Sequence, residues 1–543
     1  MSRVLEIVLS LSLEGWPVKG ASRARGAQRD FGAELVRAWR ICPQVRMRRG
    51  HERVTVEPCQ IEEAERSPGA SWWTWVESNA HGTRVVASRT RTFAPGVTQR
   101  ELFDAEHAGI VVATPLPVPA TAGAADTDAA PAAEIDGVAP DTDEARAQAS
   151  ALRLVSERRR GRWADDSGVV VEMTLDDITL HGGGGGGEPP RRYVELRLAA
   201  PDWETVAART AALHALFAAA RELSGAWPAF VQLTSVIDRV CAGGPVAATL
   251  VKAQSVDLTG IRTQRAALFA LSGDITAQWL GNECGVLDRD DPEFVHQMRV
   301  ALRRLRTLMR FFPRFTDRQW KDTLGVDLRW LAKLLGTVRD WDVFATESLP
   351  ALIAADGGGS DWDGTLDAAR AQSMAARVEL RQALHSARYA RLTLGWLEWL
   401  SALALPAADG DDAPSLRRHA TKRVRRLFGH LYGSPSLTSL DTAARHQVRI
   451  DAKRLRYALE FFASLASRRT RTETVKTLAR VQSVLGEAND AMVALHHLEQ
   501  LAAPPYQLGF VRGYGAALEQ RAARDAETLL ASLRPPKLDG KPR

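Results

Sequence analysis

The chain has 543 residues, of which 45% are hydrophobic, and it carries 71 lysines and arginines against 65 aspartates and glutamates. A hydrophobic core stops growing near about 250–300 residues, so this length predicts several domains and excludes a single one. The ordinary balance of hydrophobic and charged residues excludes a globally disordered chain, and a net charge of +6 does not by itself identify a partner.

Cysteine spacing and the N-terminal residues indicate where the protein acts. Cys42, Cys59, Cys241 and Cys284 are too far apart for a disulfide framework or a zinc site. Glu6 interrupts the apolar stretch that a secretory signal would need. The longest weakly polar runs contain prolines or a glutamate, unlike a membrane span of about 20 apolar residues. We therefore expect a cytoplasmic protein without a membrane span.

The first part of the chain has the pattern of β-strands. Residues 4–13, 169–174 and 193–198 alternate apolar and polar positions, as strands with one buried face do. An Ala/Pro/Asp-rich segment at about 113–150 and six glycines at 182–187 interrupt the pattern, and we expect both to be flexible insertions. Most of the first 200 or so residues are therefore predicted to form antiparallel sheet.

Helical periodicity replaces the strand pattern from about Asp202, and strand signals are nearly absent after Ile261. The chain is therefore predicted to be an α+β protein. The predicted parts are a β domain over residues 1–225, a connecting helical segment over 226–260, an all-α domain over 261–533 and a polar tail over 534–543.

The helical part contains an internal repeat. The sequence VHQMRVALRRLRTLMRFF at 295–312 matches RHQVRIDAKRLRYALEFF at 445–462, and LLGTVRDWDV at 334–343 matches VLGEANDAMV at 484–493. Both matches have an offset of 150 residues (445 − 295 and 484 − 334). Because two separate blocks keep one offset, they predict a duplicated helical unit whose copies pack about a pseudo-twofold axis.

On a helical wheel, each copy of the first block has a basic stripe opposite an apolar one. The basic stripes consist of His296, Arg299, Arg303, Arg306 and Arg310 in the first copy, and of His446, Arg449, Lys453 and Arg456 in the second. A third basic cluster, which includes Arg417, Arg418, Lys422 and Arg425, is predicted to widen the same surface. Like charges at this spacing destabilise an isolated helix by about 0.2–0.5 kcal/mol per pair, and a bound polyanion would offset that cost.

Each of these features also has a simpler explanation. A charged stripe is often only the solvated face of a helix. His296 and His446 are as well explained by capping or packing a helix start as by ligand contact. Asp340 and Asp490, each four residues after a glycine, are predicted to hold arginines by ion pairing and not to be catalytic.

The helical part resembles the CHAD domain, the conserved histidine α-helical domain, over about 270 residues. The resemblance rests on the basic blocks at 295–306 and 446–457 and on the two L-G-x-x-x-D blocks. It implies two four-helix bundles, related by pseudo-symmetry and lined by basic residues, that bind inorganic polyphosphate, and it suggests association with polyphosphate or storage granules. The positions that match the basic motifs of the family are His296, Arg299, Arg303, Arg306, His446, Arg449, Lys453 and Arg456.

The N-terminal part resembles the CYTH domain, a β-barrel tunnel for triphosphates that is often fused to CHAD. The resemblance rests on the order of an N-terminal strand, a low-complexity interruption, Arg162-Trp163 and the strands at 169–177 and 193–198. The family signature on the first strand is E-x-E-x-K, in which carboxylates hold a divalent metal and the lysine contacts phosphate.

This chain departs from that signature. Glu6 is present, but Val8 and Ser10 occupy the other two positions. Glu172 and Glu195 lie on later strands where the family places inward carboxylates. We expect a barrel that has lost its catalytic site. Arg46, Arg48 and Arg84 are predicted either to line a basic tunnel or to lie on exposed strand faces.

The sequence therefore predicts an inorganic polyphosphate-binding protein without catalytic residues, a metal site or a required cofactor. One alternative is an inorganic triphosphatase in the barrel, which would need Mg²⁺ or Mn²⁺ and more carboxylates. The other is a non-specific binder of the nucleic-acid backbone. Nucleic-acid binders commonly add stacking aromatics, and Tyr457 is the single candidate stacker on these helices.

Overall fold

The computed structural model describes residues 3–13, 30–61, 70–104, 112–115, 153–166, 168–181, 190–242, 248–406, 415–433 and 436–538. The chain divides into two units, Met1–Ala247 with Thr393–Ala402, and Ala248–Leu392 with Leu403–Arg543. The predicted insertion at about 113–150 lies almost entirely outside the described residues, and the glycine run at 182–187 lies wholly outside them.

The first unit contains eleven described strands, which confirms the antiparallel sheet predicted from sequence. They are β1 (Arg3–Leu11), β2 (Val45–Met47), β3 (Glu52–Ile61), β4 (Ser71–Asn79), β5 (Gly82–Ala94), β6 (Val97–Asp104), β7 (Val112–Pro115), β8 (Arg153–Ala164), β9 (Val170–His181), β10 (Arg191–Pro201) and β11 (Ala229–Gln232). Eight of them pair in the order β8-β9-β10-β1-β6-β5-β4-β3, and β3 pairs back with β8 to close an antiparallel barrel. β2, β7 and β11 pair at the outside of this ring.

Strand β1 is buried on both faces, which explains why its sequence is nearly continuously apolar. Leu5, Ile7 and Leu9 point to one side, and Glu6 and Val8 point to the other. The first set packs between the barrel and the helix that follows β10. The second set faces the barrel interior.

Fifteen α-helices are described. They are α1 (Phe31–Ala38), α2 (Val206–Ala226), α3 (Val236–Cys241), α4 (Gln264–Gly281), α5 (Glu283–Asp288), α6 (Pro292–Phe311), α7 (Arg318–Asp322), α8 (Leu324–Val343), α9 (Leu349–Asp356), α10 (Asp363–Leu384), α11 (Ala387–Ala404), α12 (Leu416–Tyr432), α13 (Thr442–Phe461), α14 (Val475–Gln500) and α15 (Pro505–Ala531). None of these described helices is long and apolar enough to cross a bilayer.

Helix α3 fills one end of the barrel. Its residues Val236, Ile237, Val240 and Cys241 form one buried cluster with the inward side chains of β3, β4, β5, β8 and β9. This segment was predicted to connect the two domains, but the strand β11 and the helix α3 both belong to the first unit. A six-residue apolar helix has too short a pattern to reveal from sequence that it enters a barrel.

Helices α6 and α13 occupy equivalent positions in the two copies of the predicted repeat. Asp291 and Asp441 cap the two helices with their side chains, and they are themselves 150 residues apart. At the other end, the rings of Phe311 and Phe461 lie 6.1 Å apart, and Phe312 and Phe462 lie 6.4 Å apart. Because equivalent residues contact each other, the two copies are related by a local pseudo-twofold axis.

Candidate functional site

Arg299 of α6 is held by the helix α8 of its own repeat. Its Nη1 donates to the carbonyl of Gly336 at 2.9 Å and to Oδ1 of Asp340 at 2.7 Å. Gly336 and Asp340 lie one turn apart on α8, so one guanidinium group reaches both. The structural role predicted for Asp340 is therefore confirmed.

The second copy holds its arginine in a different way. Nη2 of Arg449 donates to Oδ1 of Asn489 at 2.9 Å, and not to Asp490. Burial raises the pKa of Asp490, although the charges of Arg449 and Lys453 oppose that rise. Asp490 therefore acts on Arg449 through its charge, whereas the prediction gave it a direct ion pair.

The basic stripes of the two copies meet at Arg303 and Lys453, which are equivalent positions of the repeat. The pKa of Lys453 is lowered to about 8, mainly by burial and then by the charges of Arg449, Arg303 and Arg299. The pKa of Arg303 is also lowered, mainly by burial and further by Arg299 and Arg456. Because the charges of Arg299 and Arg303 in the first stripe act on Lys453 in the second, both stripes contribute to one site.

Tyr457 joins the two stripes. The guanidinium carbons of Arg303 and Arg456 each lie 5.4 Å from the centroid of its ring. Tyr457 is buried, so its ring positions these two cations and is not presented to solvent for stacking on a base. We call Arg299, Arg303, Arg449, Lys453 and Arg456 the central cluster.

Several guanidinium groups at this site have N–H donors without a hydrogen-bond partner among the described residues. The Nε atoms of Arg303, Arg449, Arg454 and Arg456 are buried without a hydrogen-bond partner among the described residues. Buried donors in folded proteins are almost always paired. Arg299 and Arg456 have carboxylate partners, Asp340 and Glu460, while in the described part of the chain Arg303 and Lys453 form no ion pair. The central cluster therefore has unused donors and uncompensated charge for an anion with several oxygens.

The two predicted histidines differ in their surroundings. His296 is half-buried, and its pKa is lowered mainly by burial and then by Arg339, Arg303 and Arg299. The neutral form of its imidazole is therefore favoured, and the side chain lies beside the central cluster. His446 is exposed in the first turns of α13.

The remaining basic residues of α6 lie further along the helix. Arg306 and Arg310 are exposed and line a pocket with residues of α7 and α8. Burial and the charges of Arg454 and Arg306 lower the pKa of Arg310.

The third predicted basic cluster lies at a separate pocket. Arg417, Arg418, Lys422 and Arg425 line an open pocket of about 750 Å³ together with Leu538, and the described lining of this pocket includes no residue of α6 or α13. His419 turns inward, where its Nε2 lies 2.7 Å from the carbonyl oxygen of Phe311. The structure therefore does not bring these four cations into the central cluster.

Several buried charges of the barrel interior are paired with one another. Arg100 is buried and bonds to Oε1 of Glu6 at 3.0 Å and to Oδ2 of Asp238 on α3 at 2.6 Å. Asp176 accepts from Arg158 at 2.6 Å and from Arg197 at 2.5 Å. These contacts come from residues that are distant in sequence, so spacing alone did not reveal them.

Other carboxylates of the barrel are also engaged or face outward. Arg158 and Arg84 both donate to the buried Glu77. Glu195 accepts from the backbone N–H of Val236 at 2.9 Å, and burial raises its pKa to about 7. Glu172 is exposed, so its side chain does not reach the interior as the resemblance implied.

These residues do not fit a divalent metal. Among the described residues, no three His, Cys, Asp or Glu side chains are placed to share one ion. The interior carboxylates already face guanidinium groups, whose charge would repel Mg²⁺ or Mn²⁺. Arg46 and Arg48 are exposed, and Arg46 donates to the carbonyls of Pro43 and Val45, so neither lines a tunnel.

The chain is similar to known proteins over part of its length. Residues 272–499 match the family model of the CHAD domain. The uncharacterized proteins Rv2226 and MT2285 from two strains of Mycobacterium tuberculosis are each 32% identical over 272 residues, which cover 46% of this chain and 49% of each relative. The match therefore spans about half the length of these curated relatives.

Two solved structures are also similar. The CHAD domain from the plant Ricinus communis is 28% identical with a TM-score of 0.44, and the match covers 54% of this chain and all of that domain. PptA from Streptomyces chartreusis is 21% identical with a TM-score of 0.38, and the match covers 50% of this chain and 99% of that protein.

Proposed function

Because residues 272–499 are a CHAD domain, we propose that this protein binds inorganic polyphosphate at the central cluster. One observation carries the proposal: five cations from both copies of the repeat converge, and several of their Nε donors are buried without a partner. Polyphosphate has a negative charge on every unit and oxygens on every side. It therefore matches a site that offers guanidinium donors from two helices.

The surroundings of the central cluster favour polyphosphate over nucleic acid. Single-stranded nucleic acids are commonly held by aromatic rings that stack on their bases. Tyr457 is buried and already contacts Arg303 and Arg456, so it does not serve as such a ring. Recognition by charge and oxygen geometry alone suits a ligand without bases.

We assign the barrel a structural role and no catalytic one. Its interior carboxylates pair with arginines, and α3 fills one end of it. Binding at the central cluster would need no metal or other cofactor. We further propose that the protein works in the cytoplasm, associated with polyphosphate or storage granules.

Competition between ligands tests the proposal. A labelled long-chain polyphosphate is bound to the full chain at physiological salt, and unlabelled polyphosphate and duplex DNA are titrated against it. We expect polyphosphate to displace the label at a concentration of phosphate units at least tenfold below that of DNA. Equal or stronger displacement by DNA would replace polyphosphate with nucleic acid as the ligand.

A further inference from the structure

A second concave site lies between α6, α7 and α8, in the first copy of the repeat. The pocket has a volume of about 400 Å³, within the range of about 300–1,000 Å³ that is common for small-molecule sites. Four cations surround it: Arg306 and Arg310 from α6, Lys321 from α7 and Arg329 from α8.

These four cations carry charge that the described residues do not neutralise. Among the described residues, none of them forms an ion pair or a side-chain hydrogen bond. Arg306 and Arg310 are one turn apart on α6, and the charge of Arg306 contributes to lowering the pKa of Arg310. An anion with several charges would relieve this repulsion.

The floor of the pocket is apolar, which distinguishes it from the central cluster. Met309, Leu328 and the half-buried indole of Trp320 contribute to it. Gly325 also lines the pocket, and a Cβ atom there would lie 3.4 Å from the Trp320 ring and 3.5 Å from Nη1 of Arg329. The missing side chain therefore leaves room between an aromatic ring and a guanidinium group.

We propose that this pocket binds a nucleoside polyphosphate, with the base against Trp320 and the phosphates against Arg306, Arg310 and Arg329. The ligand must combine several negative charges with a flat, weakly polar part. A nucleotide has both, whereas inorganic polyphosphate has only the charges. The inference goes beyond polyphosphate binding at the central cluster and does not depend on it.

Calorimetric titration of the full chain with ATP, tripolyphosphate and AMP tests the site, and the three ligands are compared in the variant Arg299→Glu/Arg303→Glu, whose central cluster is impaired. ATP is expected to bind at least tenfold more tightly than either of the others, because each lacks one of the two parts. The variant Arg299→Glu/Arg303→Glu is expected to keep its ATP affinity within threefold, which separates this site from the central cluster. ATP binding no tighter than tripolyphosphate binding, or lost with that variant, would overturn the proposal.

Substitutions in the pocket complete the test. Trp320→Ala should reduce the affinity for ATP to that for tripolyphosphate, and Arg329→Ala and Gly325→Leu should each weaken ATP binding about tenfold. Arg318→Ala is the matched control, since Arg318 is on α7 but outside the pocket. If Trp320→Ala does not fold, Arg329→Ala and Gly325→Leu still decide the matter, because unchanged ATP affinity in both would contradict the assignment.

Discussion

The guanidinium carbon of Arg303 lies 5.4 Å from the ring centroid of Tyr457, so a cation of the first repeat rests on an aromatic residue of the second. Arg456 approaches the same ring at the same distance. This contact links α6 to α13 at the centre of the basic surface. The ring attracts both guanidinium groups and so holds two like charges near each other, although the two arginines repel each other.

Substitutions at Tyr457 separate the ring from its hydroxyl group. The hydroxyl is buried and has no partner among the described residues, so Tyr457→Phe should preserve polyphosphate affinity and leave stability unchanged or about 1 kcal/mol higher. Tyr457→Leu removes the ring and should weaken binding several-fold, because Arg303 and Arg456 lose their support. Titration calorimetry and thermal unfolding measure the two effects. Equal binding by both variants would show that the ring does not position the arginines.

Charge reversal tests the contribution of the first stripe. Arg299→Glu/Arg303→Glu should weaken polyphosphate binding at least tenfold and make the dependence of affinity on salt less steep. The matched control is Arg370→Glu/Arg521→Glu, which reverses two exposed arginines of α10 and α15. A comparable loss in the control would mean that only the overall charge matters.

The lowered pKa of Lys453 predicts a dependence on pH. Its pKa is about 8 in the folded chain, against 10.5 for the ordinary side chain. Between pH 8 and pH 10.5 the unfolded chain therefore binds more protons than the folded chain, and the contribution of Lys453 to stability rises with pH. Polyphosphate favours the charged amine, so its affinity should fall above pH 8, and binding near pH 8 should take up protons. Calorimetry in buffers of different ionisation enthalpy measures this uptake. The variant Lys453→Met should lose it, and unchanged uptake would assign the proton to another group.

The paired charges of the barrel predict stability without catalysis. Tripolyphosphate mixed with the protein and Mg²⁺ or Mn²⁺ should release no phosphate above background. Arg100→Met should destabilise the protein by about 3–5 kcal/mol, because it leaves Glu6 and Asp238 buried without their partner. Phosphate release that disappears with Glu6→Ala would instead establish a triphosphatase.

The repeat could be predicted from sequence because its information is local. Side chains spaced three and four residues apart define both stripes of α6 and α13, and the constant offset relates the two helices. The contact between Arg299 and Asp340 was predictable for the same reason, since the L-G-x-x-x-D block places the glycine carbonyl oxygen and the aspartate carboxylate on one face of α8.

The features that were missed depend on contacts between distant residues. Arg100 and Asp238 are 138 residues apart, and no spacing rule relates a strand to a six-residue helix. The separation of Arg306 and Arg310 from the central cluster depends on where α7 and α8 pack, which the pattern of α6 alone does not contain. Asn489 replaces an expected carboxylate because a shift of one position on a helix changes which side chain reaches Arg449.

The stoichiometry of binding tests most directly whether the two copies form one site. A short polyphosphate of defined length is titrated into the wild-type chain, Arg299→Ala, Arg449→Ala and the double variant. We expect the wild-type chain to bind one ligand tightly, and each single variant to bind one ligand with weaker affinity. The double variant should show a coupling energy of at least about 0.5 kcal/mol between the two positions. Two ligands per chain, with each single variant removing one of them and leaving the other unaffected, would contradict a shared site.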